Sequence, residues 1–256
     1  MFTRFASAGI LVKAMDWRGH GRTCLKNRDA IKGYHFSYNQ VFDDMLQLDQ
    51  INIPDIPNAT ELPTFVFGHS MGGLVALSFV HSRKHAIPKL HGCIAQAPAI
   101  GVGNSVSAVI RLAVKGLGNL LQKQCIISVL EAGGGCSDRA VVEDSYRDPL
   151  NHSSVSLKLG KDGYDAIDDL NSRAHEFDVP LLLRHSVLDR FTDPKATVEF
   201  FVACGSEDKS LRLHTETEGL LHEVHLEPSA KNYIIRDYIT WILNRAQPHE
   251  RELFYE

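Results

Sequence analysis

The sequence predicts a mostly parallel α/β sheet interrupted by one long insertion, and three observations carry that prediction. Short apolar runs alternate with segments of helical period. A Gly-x-Ser-x-Gly turn, Gly68 to Gly72, joins one such run to one such helix. The alternation stops near residue 99 and resumes near 178, too long a gap for an ordinary loop. A chain of 256 residues suits one α/β core, 1–98 with 178–256, carrying an insertion at 99–177.

The elements follow in order. Residues 10–14, Ile-Leu-Val-Lys-Ala, read as a first strand. Ser37 is placed to cap a helix reaching Gln50, with Val41, Phe42, Met45, Leu46 and Leu48 on its apolar face. Pro54 and Pro57 forbid a regular element in the connector at 53–58. Residues 64–67 are β-branched or aromatic and read as a strand, and a Pro-free apolar helix follows the turn. Another buried strand is expected at 91–98. Beyond the insertion, 179–185 is an apolar run opening at Pro180, hence a strand. Asp193 before Pro194 is an N-cap with Pro at the first helical position, for a helix to about Cys204. A strand at 211–215 precedes a last helix near 230–245, with Tyr233, Ile234, Asp237, Tyr238, Trp241 and Ile242 at helical spacing.

The turn carries chemistry. Gly68 and Gly72 flank Ser70 where a larger side chain is expected to collide between strand and helix. Ser70 is thereby held at a sharp bend with its hydroxyl exposed. The N–H of Met71, at the helix start, is placed to face an oxyanion. The bare pattern is weak; its place between strand and helix gives it weight. A serine needs a histidine base and a carboxylate that holds the base, in the chain order Ser, acid, His. Asp189 leaves the C-terminal end of the 179–185 strand, where functional groups collect in open α/β sheets. It is taken as the acid, and Asp193 as a cap. His222 follows the 211–215 strand and is the preferred base; His225 is the alternative.

Four blocks give this chain a resemblance to the α/β-hydrolases of monoacylglycerol lipase and lysophospholipase type, the serine aminopeptidase-like hydrolases. They are the strand leading to Asp16-Trp17-Arg18-Gly19-His20-Gly21, and the elbow GHSMGG at 68–73, which includes His69 and Gly73. Asp148-Pro149-Leu150, with the run leading to Asp189, is the third, and Leu221-His222-Glu223-Val224-His225 the fourth. The resemblance implies Ser70 as nucleophile, Asp189 as orienting acid, His222 as base, an insertion that acts as a lid, and no metal or organic cofactor. Asp16, Arg18 and His20 are then structural, fixing a loop by hydrogen bonds and an ion pair.

Two departures accompany it. Ser186 follows His185 where that family has glycine, so a strained turn is expected. The D-x-R-G-H-G block opens so close to Met1 that the strand and H-G loop preceding it in the family are not expected, nor the second oxyanion N–H that loop supplies. That strand would stand between 10–14 and 64–68, so a gap in the sheet with exposed strand edges is expected.

Composition bounds the rest. Net charge is −4 without a basic tail, so nucleic acid is not indicated as a partner. Five cysteines without C-x-x-C spacing suggest a reducing compartment, with Cys93 and Cys204 in the core. No signal peptide and no run of about 18 apolar residues is read, so a cytoplasmic location is expected. Within the insertion, 105–130 reads as one or two helices, striped by Val106, Val109, Ile110, Ala113, Val114, Leu117, Leu120 and Leu121, with Arg111, Lys115 and Lys123 as charges. It is expected to pack on the core, and its cationic amphipathic character also suits peripheral contact with a membrane surface. Gly133-Gly134-Gly135 reads as a joint, and Asp162, Asp165, Asp168 and Asp169 with His175 as a solvated acidic helix, not a metal site. The leading expectation is a serine hydrolase of single-chain lipid esters. The alternatives are a small-ester or peptide hydrolase or an acyltransferase of the same fold, or a non-catalytic relative that binds lipid or a partner.

Overall fold

The central sheet has four strands, all parallel, in the order β1-β2-β5-β6. They are β1 (Thr64–His69), β2 (Leu90–Gln96), β5 (Leu181–Ser186) and β6 (Lys209–His214). A two-stranded antiparallel ladder, β3 (Cys125–Ile127) with β4 (Ser154–Ser156), belongs to the insertion. This architecture comes from a computed structural model that describes all residues except 27–29, 36, 57, 102–107, 128–133 and 247–256. The helices are α1 (Phe2–Ser7), α2 (Gly21–Lys26), α3 (Tyr38–Asp49), α4 (Met71–Arg83), α5 (Ala108–Leu117), α6 (Arg139–Arg147), α7 (Leu157–Ser172), α8 (Pro194–Ala203) and α9 (Lys231–Ala246).

Both faces of the sheet are covered, which is why β5 is apolar at three successive positions instead of alternating. On one face α4 packs with α3, α7 and α8 around Leu77, Phe79, Leu170 and Phe200. On the other, α1 and α9 close over Ile94 and Leu182 with Phe5, Ile234, Tyr238 and Trp241. Local chemistry sets several helix starts as expected. Ser37 Oγ accepts from Gln40 N at 3.3 Å, and Asp193 Oδ1 from Lys195 N at 2.9 Å, ahead of Pro194 at the first turn of α8. Cys93 and Cys204 are buried free thiols.

Three expectations are corrected. Residues 10–14 form no strand. β1 is the last strand of the sheet, and an apolar slot of about 530 Å³ separates its edge from residues 9–15. Without a neighbour at hydrogen-bonding distance, a β-prone run has no ladder to join. Second, the helix in 105–130 ends at Leu117, and Cys125–Ile127 turns back to pair with β4. Only part of its stripe is inside: Val114 is buried, whereas Leu117, Leu120 and Leu121 are 41%, 78% and 41% exposed. Val106 and the side chains of Val109 and Ile110 lie outside the described residues, as does Gly133 of the glycine joint. Third, Ser186 strains nothing: its Oγ donates to Leu220 O and accepts from Leu188 N at 3.2 Å, tying β5 to the His222 loop.

Within the insertion, α5 and α7 are joined by charge. Arg111 and Lys115 of α5 both pair with Asp168 of α7, and Arg111 also lies 5.2 Å over the Tyr164 ring. Asp162, Asp165 and Asp169 pair with Lys158, Lys161 and Arg173 at one-turn spacing.

Candidate active site

Ser70 sits between β1 and α4 with φ 56° and ψ −120°, a backbone that a non-glycine residue adopts only under strain. Four backbone bonds hold it there: Ser70 N donates to Gln96 O at 2.9 Å, and Ser70 O accepts from Ala99 N, Gly73 N and Leu74 N at 3.0, 2.9 and 3.2 Å. Glycine is required on one side of the bend as expected. A Cβ on Gly68 would lie 2.0 Å from Gly72 O. On the other side the requirement falls on Gly73, whose Cβ would meet Pro98 Cα at 2.8 Å, whereas at Gly72 a Cβ would meet nothing within 4 Å. The N–H of Met71, first in α4, makes no backbone hydrogen bond among the described residues. It is an open donor at the positive end of the helix.

Asp189 and His222, 33 residues apart in the chain, meet directly: His222 Nδ1 lies 2.5 Å from Asp189 Oδ2. The carboxylate is fully enclosed and saturated with donors. Oδ1 accepts from Phe191 N at 2.7 Å and Thr192 N at 3.2 Å. Oδ2 also faces His185 Nε2 at 3.0 Å and Thr192 Oγ1 at 2.9 Å. Burial by itself raises this carboxyl's pKa; hydrogen bonds from His185 and His222, the His222 charge and the Phe191 N–H overturn that and hold it far below the usual range. With its Nδ1 on the acid, His222 has Nε2 left to act, and that atom has no hydrogen-bond partner among the described residues. Its loop is pinned by the buried Glu227, which accepts from Leu221 N at 3.2 Å and from Ser137 N at 3.1 Å.

Ser70 comes to this pair through its neighbour. The His69 ring packs 4.6 Å from His222 and 5.0 Å from His225. No hydrogen bond joins Ser70 Oγ to His222 among the described residues. His225 does not reach the acid. Its Nδ1 lies 2.7 Å from Nε2 of the fully buried Gln96, whose Oε1 accepts from Tyr238 Oη at 2.7 Å. That chain makes Gln96 the donor and leaves His225 Nδ1 unprotonated. Burial, with charge on its neighbours, depresses both rings, His69 to about 3 and His225 to about 4. The site therefore holds two neutral imidazoles packed around one that is tied to a carboxylate.

Asp193 caps α8, away from the acid's role, as the sequence suggested. The D-x-R-G-H-G loop is fixed by hydrogen bonds and an ion pair, as expected: Asp16 accepts from Arg22 N at 3.0 Å, while Arg18 forks onto Asp44 at 2.7 and 2.8 Å. His185, Thr192 and Gln96 were not singled out from the sequence. His185 stands four residues before the acid, and that spacing was the only signal for any of the three. Among the described residues no group of three or more His, Cys, Asp or Glu side chains is arranged to hold a metal ion.

Comparisons with known proteins bear on the family and the fold. A model of the serine aminopeptidase S33 family matches residues 1–229. An uncharacterized abhydrolase domain-containing protein of Dictyostelium discoideum is 33% identical over 98% of this chain, but the match spans only 25% of that longer protein. Phospholipase YtpA of Bacillus subtilis is 28% identical over 88% of this chain and 82% of its own length. A monoacylglycerol lipase of Mycolicibacterium smegmatis is 29% identical over 94% of this chain and 81% of its own. The crystal structure of the Paleococcus ferrophilus monoacylglycerol lipase superposes with a TM-score of 0.83 at 23% identity, covering 95% of this chain and 87% of that one, which establishes the shared fold.

Proposed function

The chain belongs to the serine aminopeptidase S33 family of α/β-hydrolases, and on that premise we propose that it is a serine ester hydrolase acting on lipids with one acyl chain, a monoacylglycerol or lysophospholipid. The observation that carries the reading is the direct His222–Asp189 contact at the C-terminal end of the sheet where Ser70 holds its strained bend. In this reading Ser70 Oγ attacks the ester carbonyl and its proton passes to His222 Nε2. Asp189 stabilises the imidazolium, and the Met71 N–H donates to the oxyanion. The alcohol leaves with the proton from His222. Water then attacks the acyl-Ser70 ester and gives a proton to His222, which returns it to Ser70 Oγ as the fatty acid departs.

The substrate class draws on the relatives named for monoacylglycerol and phospholipid, and on the apolar lid. Exposed Leu112, Leu117, Leu120 and Leu121 give the lid an apolar edge suited to a lipid surface. Labelling with a fluorophosphonate, comparing the chain with Ser70→Ala, tests the nucleophile without presuming a substrate. Labelling that survives Ser70→Ala refutes the assignment. Hydrolysis of a monoacylglycerol, a lysophosphatidylcholine and a peptide anilide side by side tests the substrate class; peptide cleavage alone overturns it.

A further inference from the structure

We infer that residues 134–138 of the insertion form a clasp on the base, with Ser137 and Glu227 as the residues that position His222. The inference deepens the hydrolase reading and rests on His222 being the base for Ser70. Both chain neighbours of His222 are anchored toward this limb. Leu221 N donates to Glu227 Oε1 at 3.2 Å. The same oxygen accepts from Ser137 N at 3.1 Å, and Ser137 Oγ donates to Oε2. Glu223 N donates to Gly135 O at 2.7 Å. His222 is therefore slung between two links, one direct and one through a carboxylate, that end two residues apart on the insertion. A third contact steadies the ring. Phe191 lies edge-on to the His222 imidazole at 5.1 Å between centroids, and its N–H donates to Asp189 Oδ1. Gly134 and Gly135 lie so close to the Phe191 ring that a Cβ on either would meet it at 3.2 Å.

Glu227 is a costly residue where it stands. It is 1% exposed and makes no ion pair among the described residues, so the hydrogen bonds from Leu221 and Ser137 are what offsets its burial. A buried carboxylate without a cation is a poor source of stability, and apolar packing already joins the insertion to the core where α7 meets α4. What the carboxylate supplies is direction. Its own backbone is fixed, because Glu227 O accepts from Ala230 N and Lys231 N at 3.0 and 2.8 Å at the head of α9. The link thus runs from a rigid helix start to the residue beside the base. In the reaction His222 Nε2 must meet first the Ser70 proton and then the leaving alcohol, and misplacement by about 1 Å costs about 10²-fold.

Fluorophosphonate titration of the full chain separates the labelling rate at saturation from the probe concentration at half-saturation. Glu227→Ala is expected to lower the saturated rate about 10²-fold with half-saturation unchanged within about threefold. Ser137→Ala, which removes one bond and keeps the backbone donor, is expected to lower it about tenfold, and it carries the test if Glu227→Ala does not fold. Glu227→Gln is expected to return to within about tenfold of the parent, since its amide oxygen accepts from both N–H groups and Ser137 Oγ turns to accept from its NH2. A second readout needs no activity: the low-field proton resonance of His222 Nδ1–H on Asp189, identified by its loss in Asp189→Asn. It is expected to persist in Glu227→Gln and to broaden or vanish in Glu227→Ala. Saturated rates within about threefold of the parent in the folded Ala variants, with the resonance intact, overturn the inference. So does a loss confined to half-saturation, which makes the limb a wall of the binding cleft, or a Gln variant as slow as the Ala one, which makes charge the cause. A parent chain that does not label, while its resonance responds to Glu227→Ala, leaves the clasp standing and sinks the hydrolase reading alone.

Discussion

Asp189→Asn is the most searching test of the proposed site, because the structure separates its catalytic effect from its structural one. The carboxylate accepts from five donors: two backbone N–H groups, Thr192 Oγ1, His185 and His222. In the asparagine variant the amide oxygen takes the place of Oδ1 and keeps both backbone bonds. The amide NH2 then confronts the other three. Thr192 Oγ1 can turn to accept, and His185 can change tautomer, because Thr197 Oγ1 lies 2.8 Å from its Nδ1 and is able to accept. Thr192 Oγ1 also donates to Ala97 O at 3.1 Å and keeps that partner, so the two amide hydrogens remain for His185 and His222, and loss of the charge-assisted bonds costs about 1–3 kcal/mol in stability. His222 answers the amide only by placing its proton on Nε2, the wrong tautomer to receive one from Ser70. The corresponding change in a serine protease triad lowers kcat about 10⁴-fold, equivalent to roughly 5.5 kcal/mol. Fluorophosphonate labelling rate, normalised to the folded fraction by circular dichroism, reads the two effects apart. A folded variant that labels within tenfold of the parent chain refutes the role given to Asp189.

Three further outcomes follow from the same geometry. Gly72→Ala meets open space and is expected to be neutral or to stabilise α4 by up to about 1 kcal/mol, whereas Gly68→Ala is expected to cost about 1–3 kcal/mol or more by forcing Gly72 away; urea denaturation ranks the two, and equal costs contradict the elbow packing. His69 and His225 are buried neutral, with folded pKa values about 3 and about 4, below the ordinary 6.5, so the unfolded chain binds more protons between those limits. Stability is therefore expected to fall as pH drops from about 6.5 to about 4, above the window in which protonation of Asp189, whose folded pKa is depressed, takes effect; a melting temperature flat across that interval refutes the neutral pair. Replacing Leu112 and Leu120 together by Ser is expected to weaken sedimentation with phosphatidylcholine–phosphatidylserine vesicles at least threefold without loss of fold, and unchanged sedimentation removes the lid from the membrane contact.

Much of the scaffold was legible because its signals are local. Ser37 and Asp193 cap helices with their own side chains, and the elbow is a six-residue pattern whose glycines answer a clash a few ångströms away. Even there the structure moved one requirement from Gly72 to Gly73, since the clash at that point is with Pro98, on the loop after β2. Residues 10–14 mark the limit. Their β-branched run is as strand-like as Thr64–His69, yet a strand exists only where another backbone supplies its hydrogen bonds, and that supply is not written in the run itself.

The sequence by itself determined the parallel α/β order, the strained serine and the order Ser70, Asp189, His222, because turn chemistry and hydrophobic period act over a few residues. Tertiary structure decided what surrounds them. It set His185 and Thr192 on the acid, removed His225 to Gln96, paired the lid's cations with Asp168, and left β1 as an open edge beside an apolar slot. Each of these depends on distances between residues tens of positions apart, which packing fixes and local propensity does not.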